Sequence, residues 1–142
     1  MKVLITIIGF AVGLSYSSTE ALAQEKKDFG KEEFESKCAS CHGLSGRGDG
    51  PLSGIFVTKP TDLTTLAKRN GGVFPAQRAY EIIDGRQNVA AHGPRVMPVW
   101  GKEYRAKVPD LEIEGYFDLR STVAEAKVLA LVDYLFRIQH NE

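Results

Sequence analysis

The sequence predicts an all-α domain. Three observations point to it: apolar residues recur at helical spacing in several segments, cap and stop residues bracket those segments, and strand signals are poor. The one alternating stretch, Leu111 and Ile113 against Glu112 and Glu114, is too brief to count as a strand. At 142 residues there is room for a single domain.

The helices come in order. Residues 31–39 form the first, with Phe29, Phe34 and Cys38 at helical spacing. Residues 62–69 form a short second helix, with Thr61 as cap and Gly71 as stop. Residues 75–84 form the third: Pro75 opens it, Gly85 ends it, and Ala79, Ile82 and Ile83 make its apolar side. The last runs over 123–139. Thr122 and Glu125 fit a capping box there, and Val128, Leu131, Val132, Leu135 and Phe136 make a continuous stripe.

Residues 1–23 stand outside this domain. Lys2 gives a positive start, residues 3–14 are nearly all apolar, and Ala21-Leu22-Ala23 supplies small residues at a cleavage site. This pattern predicts a secretory signal peptide cut after Ala23, export to a bacterial periplasm, and a mature domain of residues 24–142. The apolar run is shorter than the ~20 residues a spanning helix needs, so the mature form is not expected to span a membrane. Eighteen basic and eighteen acidic residues balance, and loss of Lys2 and Glu20 leaves the balance unchanged. With no basic stripe, nucleic acid is not an expected partner.

The stretch CASCH at residues 38–42 uses both cysteines of the chain. Four chemistries compete for it. A disulfide across so small a loop gains little chain entropy. A redox dithiol needs a strand before the motif, and the residues before Cys38 read as helix. A zinc site needs two further ligands, but His92 and His140 are remote and there is no second cysteine pair. The fourth is c-type haem attachment, which C-x-x-C-H specifies. Positions i, i+3 and i+4 share one helical face, so Cys38 and Cys41 can meet two vinyl groups along one haem edge while His42 aims at the iron.

One axial histidine leaves the opposite face of the iron open. Once Met1 leaves with the signal peptide, Met97 is the only methionine. Pro98 after it, and Gly93 and Pro94 before it, present the thioether from a constrained loop. Met/His is a known axial pair of electron-transfer haem proteins. The competing sixth ligand is His92; a five-coordinate iron is the remaining alternative.

CASCH, the GDGPLSG after it, the MPVWG loop and the terminal ALVDYLFRIQ together resemble the class I c-type cytochromes, monohaem and periplasmic. The resemblance implies a small cytochrome c fold, several helices wrapped around one covalently bound haem c. It implies that the first and last helices cross, with Gly30 and Phe34 against Leu131 and Tyr134. It also implies a proline carbonyl that accepts the proton of His42, with Pro51 as the expected residue and Pro60 as the alternative. Such an acceptor fixes the tautomer and aim of the ring.

Phe74, Tyr80, Trp100 and Tyr104 flank the proposed ligands; all but Trp100 are read as packing residues. The Trp100 indole N–H and Arg95 are the candidates for haem propionates. Asp110, Glu112, Glu114 and Asp118 lie among Leu111, Ile113, Tyr116 and Phe117, in a loop that could steer a redox partner. The functional expectation is a periplasmic one-electron carrier, not an enzyme, whose partners are redox proteins. The alternatives are a cytochrome subunit of a periplasmic dehydrogenase or oxidase complex, and a haem peroxidase or gas-binding protein.

Overall fold

The structure is a computed structural model and describes residues 27–86, 97–109 and 118–140. The expected signal peptide, His92, Arg95, Asp110, Glu112 and Glu114 fall outside the described residues. Within them every regular element is helical: α1 (Phe29–Lys37), α2 (Ala39–His42), α3 (Leu66–Arg69), α4 (Ala76–Asp84), α5 (Trp100–Lys107) and α6 (Leu119–Arg137). Single 3-10 turns stand at Ser53–Ile55 and Leu63–Thr65. The expected all-α class is therefore the observed one.

α1 starts earlier than expected because the Asp28 carboxylate caps it, accepting from Lys31 N at 3.0 Å. It also stops earlier, at Cys38, where the chain bends into α2. Helical bonding runs across the bend: Cys38 N donates to Phe34 O (2.8 Å) and His42 N to Cys38 O (2.9 Å). The turn that carries the motif therefore stays wound across the break at Cys38.

α1 crosses α6, and the residues at the crossing are the four the resemblance implied. Phe34 is 0% exposed and its ring centroid lies 5.1 Å from that of Tyr134. Leu131 is buried beside them. Gly30 makes the close approach possible. A Cβ there would strike the Ala130 carbonyl and lie 2.9 Å from Tyr134 Cβ, so any larger residue forces the helices apart. Ion pairs brace the crossing at both ends: Lys127 with Glu33, and Arg137 with Asp28 through two bonds of 2.7 and 2.8 Å. The Arg137 guanidinium holds the Asp28 carboxyl down to about 2, helped by the Lys31 N–H. A depressed carboxylate adds stability above its ordinary value near 3.8, and that stability fades as pH falls toward 2. The pair is exposed, so water and salt keep the effect small.

α4 and α5 pack on the rest of α6 and complete the core with Ala79, Ile83 and Tyr104. α4 keeps its expected end and starts one residue later, with Pro75 as N-cap; it stops at Gly85 in the left-handed region (φ 93°), which returns its N–H to Glu81 O at 3.0 Å. α5 was not expected; its residues read as the start of a loop. Its N-cap, Val99, offers no side-chain oxygen, and Gly101 lowers its propensity. Tertiary contact overrides this, because Tyr104 is 2% exposed and Gly101 lies directly against Asp84.

Further expectations need correction. α6 begins at Leu119, not at 123, because Asp118 caps it by accepting from Ser121 N at 3.1 Å. Thr122 lies inside the helix and donates its hydroxyl to Asp118 O, so no capping box forms there. Asp118 thus has a structural task of its own. Phe136, placed in the apolar stripe, is 60% exposed and meets Phe74 edge-on. In the second helical segment the cap is Asp62 instead of Thr61: its carboxylate takes both Thr64 N (2.8 Å) and Thr64 Oγ1 (2.7 Å). The element opens as a 3-10 turn and becomes α3 only at Leu66.

Candidate functional site

Cys38, Cys41 and His42 occupy one helical turn at the α1–α2 bend. Cys41 N and His42 N both donate to Cys38 O, at 3.1 and 2.9 Å, which fixes the three side chains relative to one another. Both cysteines are free thiols, half-buried. Burial pushes the Cys38 thiol up to about 12, and the nearby Glu33 charge adds to the rise. A reactive dithiol is poised to form a thiolate near neutral pH, so Cys38 is poorly suited to that role. Among the described residues no three His, Cys, Asp or Glu side chains converge as a metal cage, which leaves the zinc reading without partners there.

The loop beyond His42 holds it in place. From Gly43 the chain folds back along α2, with Gly48 N donating to His42 O (2.8 Å), Gly50 N to Cys41 O (3.1 Å) and Leu52 N to Ser40 O (2.8 Å). These bonds satisfy carbonyls that the end of the short helix leaves free. Gly48 sits at φ 78°, and a Cβ on it would collide with the Pro60 carbonyl, so only glycine lets the two arms of the wrap touch.

The imidazole Nδ1 lies 2.9 Å from the carbonyl oxygen of Thr61. A carbonyl only accepts, so Nδ1 carries the proton and Nε2 keeps its lone pair. This corrects the expected partner: neither Pro51 nor Pro60 receives the His42 proton. Pro51 is exposed on the outside of the wrap. The Pro60 carbonyl is turned against Gly48, and the next one, that of Thr61, reaches the ring. Burial lowers the basicity of His42 and the Thr61 bond opposes that shift in part. A neutral ring with a free Nε2 is the form that binds a metal.

Met97 and Trp100 are half-buried and pack against the same apolar core as Cys38, together with Leu63, Phe74, Tyr80 and Ile138. Trp100 opens α5, its ring tilted at 6.1 Å from that of Tyr104. The structure therefore gathers Cys38, Met97 and Trp100 onto one cluster, next to the turn that carries Cys41 and His42. Arg95, the other propionate candidate, lies outside the described residues.

The donor set fits a c-type haem. Two free thiols and a Nδ1-tethered imidazole share one turn, and a thioether and aromatic rings lie on the adjoining apolar core. The Thr61 carbonyl is the one participant that sequence reading missed. Every residue carries a carbonyl, so no side-chain pattern could have singled it out.

Residues 25–108 match the family described as cytochrome c oxidase, cbb3-type, subunit III. No curated protein and no solved structure matches the chain.

Proposed function

Because the chain belongs to the cbb3-type cytochrome c oxidase subunit III family, whose domain is that of a c-type cytochrome, we propose that it is a periplasmic one-electron carrier with His42 and Met97 as axial ligands. A bound haem c supplies the one-electron redox chemistry. The observation that carries the reading is the tethered His42: its Nδ1–H is committed to Thr61 O, so its lone pair is held in one direction. Cys38 and Cys41 would anchor the ring on the same helical turn. Met97, on the apolar core, would close the other axial position and raise the potential. The core side chains around it would keep water from the ring. No substrate is transformed in this reading.

The test of attachment is direct. The chain co-expressed with haem-attachment machinery should keep its haem through denaturing electrophoresis and acid extraction. Cys38→Ala with Cys41→Ala should release it. Haem retention by the double variant would defeat the anchor assignment. The location has its own readout: the purified mature chain should have the mass of residues 24–142 plus one covalently attached haem and fractionate with the periplasm. A chain with an intact N-terminus in the cytoplasm would end that part of the reading.

The family match also favours a second reading, in which the domain serves as the cytochrome subunit of an oxidase complex. No helix among the described residues is long and apolar enough to cross a membrane. The two readings share the haem chemistry and differ in company. Stable co-purification with a larger catalytic chain favours the subunit, and a monomer exchanging electrons by collision favours the free carrier.

A further inference from the structure

The Thr61 carbonyl can aim His42 only if the segment that bears it is itself fixed. Part of that fixing is local. Leu63 N donates to Gly46 O at 2.7 Å, the Asp62 carboxylate locks Thr64, and Arg69 Nη2 donates to Asp62 O at 2.7 Å. The rest arrives from the far end of the chain. The Gln139 side-chain amide, just past the end of α6, donates from Nε2 to Leu63 O (2.7 Å) and accepts at Oε1 from Ala67 N (2.9 Å). Its Nε2 also donates to Leu135 O at 2.6 Å, which ties the amide to its own helix end. His140 N adds a bond to Thr64 O at 3.0 Å.

A primary amide has two donor hydrogens and one acceptor oxygen, and here the three partners use both ends of it. Neither a carboxylate nor an aliphatic side chain can reproduce that set. Leu63 is two residues from Thr61, and the 3-10 turn between Leu63 and Thr65 is stiffened by Asp62. A shift of Leu63 O therefore moves the Thr61 carbonyl.

We propose that Gln139 is a positioning residue for His42: by clamping residues 63–67 to the end of α6 it sets the Thr61 carbonyl that receives the His42 Nδ1 proton, and thereby tunes the reduction potential. This rests on the reading of His42 as an axial ligand. A carbonyl on Nδ1–H makes the imidazole a stronger donor and favours the oxidised metal. Loosening the clamp weakens that bond, so the reduced form should gain.

The experiment uses the holoprotein. Gln139→Met keeps much of the side-chain volume and removes the hydrogen bonds. Its ratio of reduced to oxidised protein at a fixed ambient potential should rise about threefold or more over the parent. The Nδ1–H proton resonance of His42 in the reduced protein should shift and exchange faster. Arg137→Ala is the control: it frees the same helix end from Asp28 without touching residues 63–67, and should leave both readouts in place. An unchanged ratio and resonance in Gln139→Met overturns the proposal. So does an equal change in Arg137→Ala, which would make the effect one of general fraying. If Gln139→Met does not fold, Asp62→Ala loosens the same turn from within and is held to the same expectations. A parent without histidine-ligated haem resonances overturns the ligand reading and this proposal with it. A parent that has them, beside an unmoved variant, overturns this proposal alone.

Discussion

Phe34→Ala should cost about 3–5 kcal/mol of folding stability, the usual range for truncating a fully buried phenylalanine. The ring is 0% exposed and fills the α1–α6 crossing against Tyr134, with backbone at Gly30 packed too close to collapse further. The cavity therefore has little means of closing. Small domains have only about 5–15 kcal/mol in total, so the loss should be visible as a large fall in the denaturant midpoint at unchanged slope. Phe29→Ala, at an exposed ring of the same helix, should stay within about 0.5 kcal/mol. A Phe34→Ala loss below about 1 kcal/mol would mean that the crossing is not the centre of the core.

Met97→Ala should lower the reduction potential by an amount on the order of 0.1 V or more, since axial ligands set haem potentials over a span of about 0.8 V. Alanine offers no donor, so the reduced variant should also bind carbon monoxide quickly at neutral pH while the parent resists it. Met97 is half-buried on the core cluster, and its truncation should cost some stability as well. The two effects separate because potential and denaturant midpoint are measured independently. A variant with the parent's potential and spectrum would remove Met97 as a ligand and bring His92 forward. Rapid carbon monoxide binding by the parent itself would instead favour the gas-binding reading.

The parts of the molecule that were legible in the sequence are those written in side-chain periodicity. Val128, Leu131, Val132 and Leu135 announce α6, and Pro75 and Gly85 bracket α4, because burial and capping act through residue type at fixed spacing. The crossing residues Gly30, Phe34, Leu131 and Tyr134 came from the family resemblance, and the packing gives the physical reason for them. The motif residues Cys38, Cys41 and His42 were legible because their chemistry requires a fixed local spacing.

Other features depend on tertiary contact. α5 has a weak cap and a glycine in its first turn, and it forms because Tyr104 and Gly101 pack against α6 and Asp84. The start of α6 was misplaced because Asp118 and Thr122 are both good caps, and the sequence alone does not rank them. The acceptor for His42 lies one residue from an expected proline. Its identity depends on which way the peptide after Pro60 is turned.

The α1–α6 crossing also bears on the order in which this chain can fold. Asp28 and Arg137 are 109 residues apart in sequence, so the contact between them closes almost the whole domain into one loop. Contacts at such separation are entropically late and slow the search for the native state. During synthesis the helix bearing the cysteines emerges long before the one that buries Phe34 beside it. Until residue 137 has been made, the core has one wall missing, and chain ends that look peripheral in the sequence are the last stones of the arch.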